Sequence, residues 1–205
     1  MAKDTKQRIL RAALGKFNEL GYFNVRLQDI ADDAKMSVGN MAYHYQNKTQ
    51  LFDLLFKEWR KSKNLILADL HLVPIFENFN IYLQRTFDLQ QQFRFVYFDQ
   101  LELVRMSSNV AKVYQEHFQN NQEQLGILLA LYRARGVLSL QEDKVQMLAL
   151  KLRRVMDTLM IQQFVEGKEI ANFHGFQASI WSELQPFLTE SGWQELEAEN
   201  RKTTI

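Results

Sequence analysis

From Thr5 to Leu20, apolar Ile9, Leu10, Ala13, Phe17 and Leu20 recur at three- and four-residue steps, while Lys6, Arg8, Arg11 and Lys16 occupy other positions. That period predicts an amphipathic helix. Gly21 follows the last periodic residue, where a left-handed cap belongs. Leu27, Ile30, Ala31 and Ala34 predict a second, short helix. Lys35-Met36-Ser37 then makes a tight turn, and Ser37 can cap a third helix from Val38 by accepting from an N–H of its first turn. Asn47 can do the same for a fourth helix, whose stripe is Leu51, Leu54, Leu55 and Trp59.

Beyond Lys63 the pattern stays helical. Pro74 suits a helix start, and Ile75, Phe79, Leu83 and Phe87 share the face that follows. Phe93 to Met106 is apolar almost all round at its beginning, which predicts burial. Asp99, Glu102 and Arg105 share one face there, a solvated one. A helix is expected from Ser108 to about Arg135, ended by Gly136. Ser139 to Glu142 has the spacing of a capping box and announces a long helix to about Glu166. Phe173 to Leu188 and a short segment from Ser191 complete the series. With only 8 Gly and 2 Pro and no alternating Val/Thr runs, the chain reads as all-α. The expected organisation is a three-helix, helix-turn-helix head over residues 1–63 and a larger helical body over 64–205, joined through the fourth helix near Lys63.

Composition excludes several chemistries. There is no cysteine, hence no disulfide, thiolate zinc site or cysteine nucleophile. No apolar run approaches the roughly 18 residues of a membrane span, and the charged N-terminus lacks a signal-peptide core, so a cytoplasmic protein without a membrane partner is expected. Charge alters the picture more. The formal net charge is +1, but residues 1–63 hold 12 Lys/Arg against 7 Asp/Glu, leaving the remainder acidic. A basic head on an acidic body is the asymmetry expected where one end meets a polyanion.

Residues 37–48, SVGNMAYHYQNK, concentrate groups that can touch something flat or anionic. A buried turn, a catalytic pocket around His44 and a nucleic-acid surface are all open readings of it. Thr5, Ile9, Ala13, Phe17, Gly21, Ile30-Ala31, Ala34, Ser37, Gly39, His44, Tyr45 and Lys48 resemble the DNA-binding head of the tetracycline-repressor-like (TetR) regulators, over about residues 5–55. The chain departs from that pattern in carrying Ala42 where a tyrosine is usual and Arg26 where threonine or serine usually opens the second helix. The resemblance implies a homodimer on double-stranded DNA, with a small-molecule effector held by the body. The residue chemistry agrees. Ser37, Val38 and Gly39 are short enough to let the backbone approach base edges. Asn40 can pair with an adenine edge, and Val38, Met41 and Ala42 can meet thymine methyls. Tyr43, His44, Lys48 and Arg26 can bind phosphate. His44 has no carboxylate or nucleophile at a useful spacing, and His44, His71, His117 and His174 form no ligand pair. No enzyme activity, metal or cofactor is expected.

In the body, ten aromatics lie between Phe76 and Phe118. Most belong to the core, and Phe79, Tyr82, Tyr97, Phe98 and Tyr114 are the expected contacts of a hydrophobic effector. A four-helix seam is expected from the last two long helices, through Met156, Met160, Phe164 and Trp181. The rival readings are a helical ligand-binding protein or enzyme whose head no longer reads DNA, and a sequence-indifferent DNA-packaging protein.

Overall fold

The computed structural model describes residues 2–68, 70, 73–168 and 172–203, and His71 lies outside them. Eleven α-helices are found among the described residues: α1 (Ala2–Leu20), α2 (Leu27–Asp33), α3 (Val38–His44), α4 (Lys48–Ala68), α5 (Phe76–Gln92), α6 (Arg94–Phe98), α7 (Gln100–Met106), α8 (Ser108–Ala134), α9 (Val145–Val165), α10 (Phe173–Leu184) and α11 (Glu190–Thr203). The expected all-α class holds. Their boundaries follow local chemistry. Gly21 has φ 78° after α1 and Gly136 φ 76° after α8, conformations that a Cβ disfavours. The Ser37 hydroxyl accepts from Asn40 N–H at 3.2 Å, and the Asn47 side-chain Oδ1 accepts from Gln50 N–H at 3.0 Å, capping α3 and α4.

The chain divides into two compact units, and neither is a continuous stretch. One takes Met1–Lys63 together with Leu89–Ser107; the other takes Asn64–Asp88 and Ser108–Ile205. In the first, Ile9, Ala13, Phe17, Ile30, Met41 and Leu51 are fully buried. Phe95 of α6 packs on Phe17 at 5.4 Å between ring centroids. Asn18 fastens the same contact at both ends of its amide: Nδ2 donates to Gln92 O at 2.8 Å, and Phe95 N–H donates to Oδ1 at 3.1 Å. Segment 93–106 forms two short helices, α6 and α7. They break at Asp99, whose carboxylate is turned inward to accept from Tyr22 N–H at 2.5 Å. Asp99 thus does not belong to the solvated face. Burial raises its carboxyl above the usual range, against that hydrogen bond.

In the second unit α8 packs along α9, and α10 on α9. The α8–α9 and α10–α11 connections are tied together. Leu138 bridges to Leu188, Ser139 N–H donates to Phe187 O at 2.8 Å and Thr189 N–H to Val137 O at 3.1 Å. Ser139 therefore lies before the helix start; Gln141 is the N-cap of a short 3₁₀ turn over Glu142–Lys144, which precedes α9. Gly192 in the first turn of α11 lies so near that a Cβ would stand 2.2 Å from Val137 O. Glu195, further along α11, accepts from Phe76 N–H at 2.9 Å and pairs with Arg135 at 2.7 Å. Pro186 ends α10 early and turns residues 185–187 into a 3₁₀ turn.

Candidate nucleic-acid interface

Helices α2 and α3, joined through Ala34–Ser37, form the helix-turn-helix. The turn is tight enough to place Lys35 at φ 53°, the left-handed region, which costs a side-chain-bearing residue about 1–2 kcal/mol. Ile30, Ala31 and Ala34 lie beneath it, buried. The outer surface of α3 presents what a groove reader needs. Ser37, Gly39 and Asn40 are exposed and Val38 is half-buried. A Cβ on Gly39 would meet nothing nearer than Ser37 Oγ at 4.0 Å, so that stretch of backbone is bare to an approaching ligand. The Asn40 side-chain amide makes no hydrogen bond within the described residues and is available to a base edge. Tyr43 is 89% exposed, its ring edge-on to His44 at 5.4 Å. Arg26 is exposed at the start of α2, where its N–H donates to the Asp29 carboxylate at 2.7 Å.

Two of the expected DNA contacts are corrected. Met41 is 0% exposed; it faces the core because α3 must bury one side, and it cannot meet a thymine methyl. Lys48 is turned inward. Its ammonium donates to Tyr22 O at 2.7 Å, Phe23 O at 3.3 Å and Val25 O at 2.8 Å, and stands 4.5 Å above the Tyr22 ring. Burial lowers its pKa from the ordinary lysine value. It staples the α1–α2 connection, its ammonium engaged by three backbone carbonyls. The structure adds residues that the sequence reading passed over: Thr5 and Arg8 of α1 and Lys35 and Met36 of the turn line a groove of about 330 Å³ with Asn40, Tyr43 and His44. The signal was present in the positive charge of Arg8 and Lys35, but nothing in the spacing placed α1 beside α3.

The expected effector contacts fall into both units. Phe79, Tyr82 and Tyr114 are buried in the second, with Phe79 and Tyr82 stacked at 6.0 Å. Tyr97 and Phe98 belong to the first, where the Tyr97 hydroxyl accepts from Trp59 Nε1 at 3.2 Å; Tyr97 is a core residue of that unit. The sequence reading missed a polar vein through the second unit. Tyr82 OH donates to Asn121 Oδ1 at 3.0 Å, and burial pushes the tyrosine's pKa well up. Asn121 is 1% exposed, and its Nδ2 has no hydrogen-bond partner among the described residues. Arg153 pairs with Asp157 at 3.1 Å and lies over the Phe118 ring at 4.9 Å. A signal existed: Thr86, His117 and Asn121, all buried, occupy positions where the apolar stripes of α5 and α8 would continue.

Three of the four expected seam residues are likewise corrected. Met156, Met160 and Trp181 are already buried within one chain. Trp181 lies edge-on to Phe76 and Phe79 at 4.8 and 5.6 Å, and its Nε1 donates to Asn80 Oδ1 at 2.8 Å. The indole needed both an apolar wall and an acceptor, and its own chain supplies them. Phe164 is 60% exposed, as are Met147 at 58% and Val165 at 78% on the same helix. Among the described residues no group of His, Asp and Glu could hold a metal, and no helix is long and apolar enough to cross a membrane.

Comparison with known proteins bears on the whole chain. Residues 9–55 match the profile of bacterial regulatory proteins of the tetR family, and residues 65–196 match that of a bacterial transcriptional repressor of the same name. A probable acrEF/envCD operon repressor of Escherichia coli is 34% identical over 65 residues, a match spanning 32% of this chain and 30% of that protein. A TetR-family transcriptional regulator from Marinobacter aquaeolei superimposes with a TM-score of 0.83 at 23% identity, over 96% of this chain and 97% of its own. A transcriptional regulator from Saccharomonospora viridis, solved in complex with choline, gives 0.70 at 20% identity, over 92% and 100%.

Proposed function

Since the chain belongs to the TetR family of DNA-binding bacterial transcriptional regulators, which are not enzymes, we propose that it is a repressor that binds a palindromic operator as a homodimer and is released by a hydrophobic small molecule. The observation that carries the reading is the outer edge of α3. Short Ser37 and Gly39 leave the backbone approachable, Asn40 offers an unengaged amide, and Tyr43 and His44 stand beside it as phosphate donors. The head reads DNA through Arg26, Ser37, Val38, Gly39, Asn40, Tyr43 and His44. The effector belongs to the second unit near Phe79, Tyr82 and Tyr114, with Asn121 Nδ2 set to donate to its polar group. A two-fold axis is needed to read a palindrome, and the exposed apolar residues of α9, Met147, Phe164 and Val165, suit a partner copy.

Selection of bound duplexes from a random DNA pool tests this directly. A palindrome supports the proposal, binding without enrichment indicates a packaging protein, and no binding refutes a working head. Asn40→Ala is expected to cost about 1–3 kcal/mol on the selected duplex and to relax preference at one position per half-site. An unchanged selection and affinity would remove Asn40 from base reading. Lipophilic compounds that raise the melting temperature are expected to weaken the DNA complex as well, since release requires unequal binding to two states. Stabilisation without any effect on DNA would refute the coupling.

A further inference from the structure

The inward turn of Lys48 removes the one lysine expected to grip the DNA backbone beside α3, and the groove of about 330 Å³ next to Asn40 supplies a replacement. Three elements meet there: α1 with Thr5 and Arg8, the helix-turn-helix turn with Lys35 and Met36, and α3 with Asn40, Tyr43 and His44. None of the lining residues is acidic. Arg8 and Lys35 are exposed and make no ion pair or hydrogen bond with their side chains among the described residues. Several surface cations elsewhere are paired with a carboxylate, as Lys16 is with Glu19 at 2.7 Å and Lys112 with Glu116 at 4.0 Å. Here two unneutralised cations flank a concave, hydroxyl-lined site beside the base-reading amide.

Lys35 carries a second pointer. Its backbone sits at φ 53°, where glycine rests without strain and a side chain costs free energy. Among the described residues the Lys35 side chain makes no hydrogen bond or ion pair that would account for its strained position. An arginine and a lysine lining one groove with a phenol and an imidazole offer the charge and the hydrogen-bond donors that a backbone phosphate takes.

We propose that Arg8 and Lys35 form a phosphate-binding groove that seats the DNA strand adjacent to the base read by Asn40, making both of them positioning residues for the head. This inference rests on the proposed role of α3, and its test keeps the two apart. Lys35→Gly removes the charge while relieving the backbone, so the fold is preserved by design; Arg8→Gln removes charge from an exposed position on α1. Full-length wild type, Lys35→Gly, Arg8→Gln and Asn40→Ala are titrated with the duplex enriched by selection and with a random-sequence duplex, across a salt series. Each charge variant is expected to weaken both duplexes alike, by about three- to tenfold at low salt, and to flatten the plot of log affinity against log salt by about 0.9 per half-site. The melting temperature of Lys35→Gly should equal or exceed that of wild type. Asn40→Ala should instead weaken the enriched duplex and leave the slope in place. Unchanged slopes for Lys35→Gly and Arg8→Gln, with Asn40→Ala still altering preference, overturn the groove and leave the α3 reading intact. Loss confined to the enriched duplex with an unchanged slope would make Lys35 a base reader and also overturn the phosphate role.

Discussion

Gly192→Ala lowers the stability of the chain by about 1–3 kcal/mol, the usual cost of overpacking a site that cannot give way. The obstacle is backbone: the new methyl carbon would stand 2.2 Å from Val137 O and 3.1 Å from Leu188 Cδ2. Val137 O cannot withdraw freely, because it accepts from Thr189 N–H at 3.1 Å. Thr189 and Ser191 hydroxyls also hold the neighbouring Gly136 O, at 2.6 and 3.1 Å. The α10–α11 connection must move off the α8–α9 turn, and those bonds loosen together. In a thermal scan the loss reads as about 2–4 °C per kcal/mol for a chain of this size. Gly15→Ala is the counterpart, since a Cβ in the exposed middle of α1 meets nothing within 4 Å; it should gain about 0.5–1 kcal/mol from helix propensity. If both variants melt with wild type, the close approach at Gly192 is not real.

Lys48→Met carries the second large effect, and on stability before DNA affinity. The variant keeps the aliphatic stem but withdraws the donor that Tyr22 O, Phe23 O and Val25 O share. Tyr22 and Val25 are buried, and their carbonyls would be left poorly satisfied. The expected cost is about 1–3 kcal/mol, seen as a lower urea midpoint with an unchanged slope of the transition. The salt dependence of DNA binding should stay near that of wild type once protein that remains folded is compared. A phosphate-binding lysine would do the reverse, leaving the urea midpoint in place and flattening the salt dependence by about 0.9 per half-site. That pattern would return Lys48 to the interface.

The contrast shows what was legible in the sequence. Features governed by neighbours a few residues apart were readable: the stripe of α1, the glycine after it, the Ser37 and Asn47 caps, the turn before α3. Each is fixed within one or two helical turns. What was not readable depended on elements far apart in the chain. Ser139 has the spacing of a capping box, but Phe187 O takes its N–H, beside the bridge between Leu138 and Leu188. Lys48 has the look of a phosphate ligand, but the carbonyls that claim it lie about two dozen residues earlier. Trp181 resembles an interface aromatic, and only Asn80, 101 positions away, shows that its N–H is satisfied at home. Periodicity tells which side of a helix is apolar; it does not tell whether that side meets its own chain or another.

The clamp made by Asn18, Tyr22 and Asp99 has a practical consequence for anyone exchanging DNA specificities between regulators. The head ends in sequence near Lys63, and a graft there is the natural choice. Yet Phe17 and Phe52 complete their packing on Phe95, and the α1–α2 connection hangs a backbone N–H on Asp99. A head transplanted as residues 1–63 leaves Phe95, Tyr97 and Asp99 behind, together with the backbone groups that Asn18 grips. The portable cassette is discontinuous: a chimaera that retains its binding specificity has to carry 89–107 along with the head, or redesign the recipient's equivalent segment to receive it.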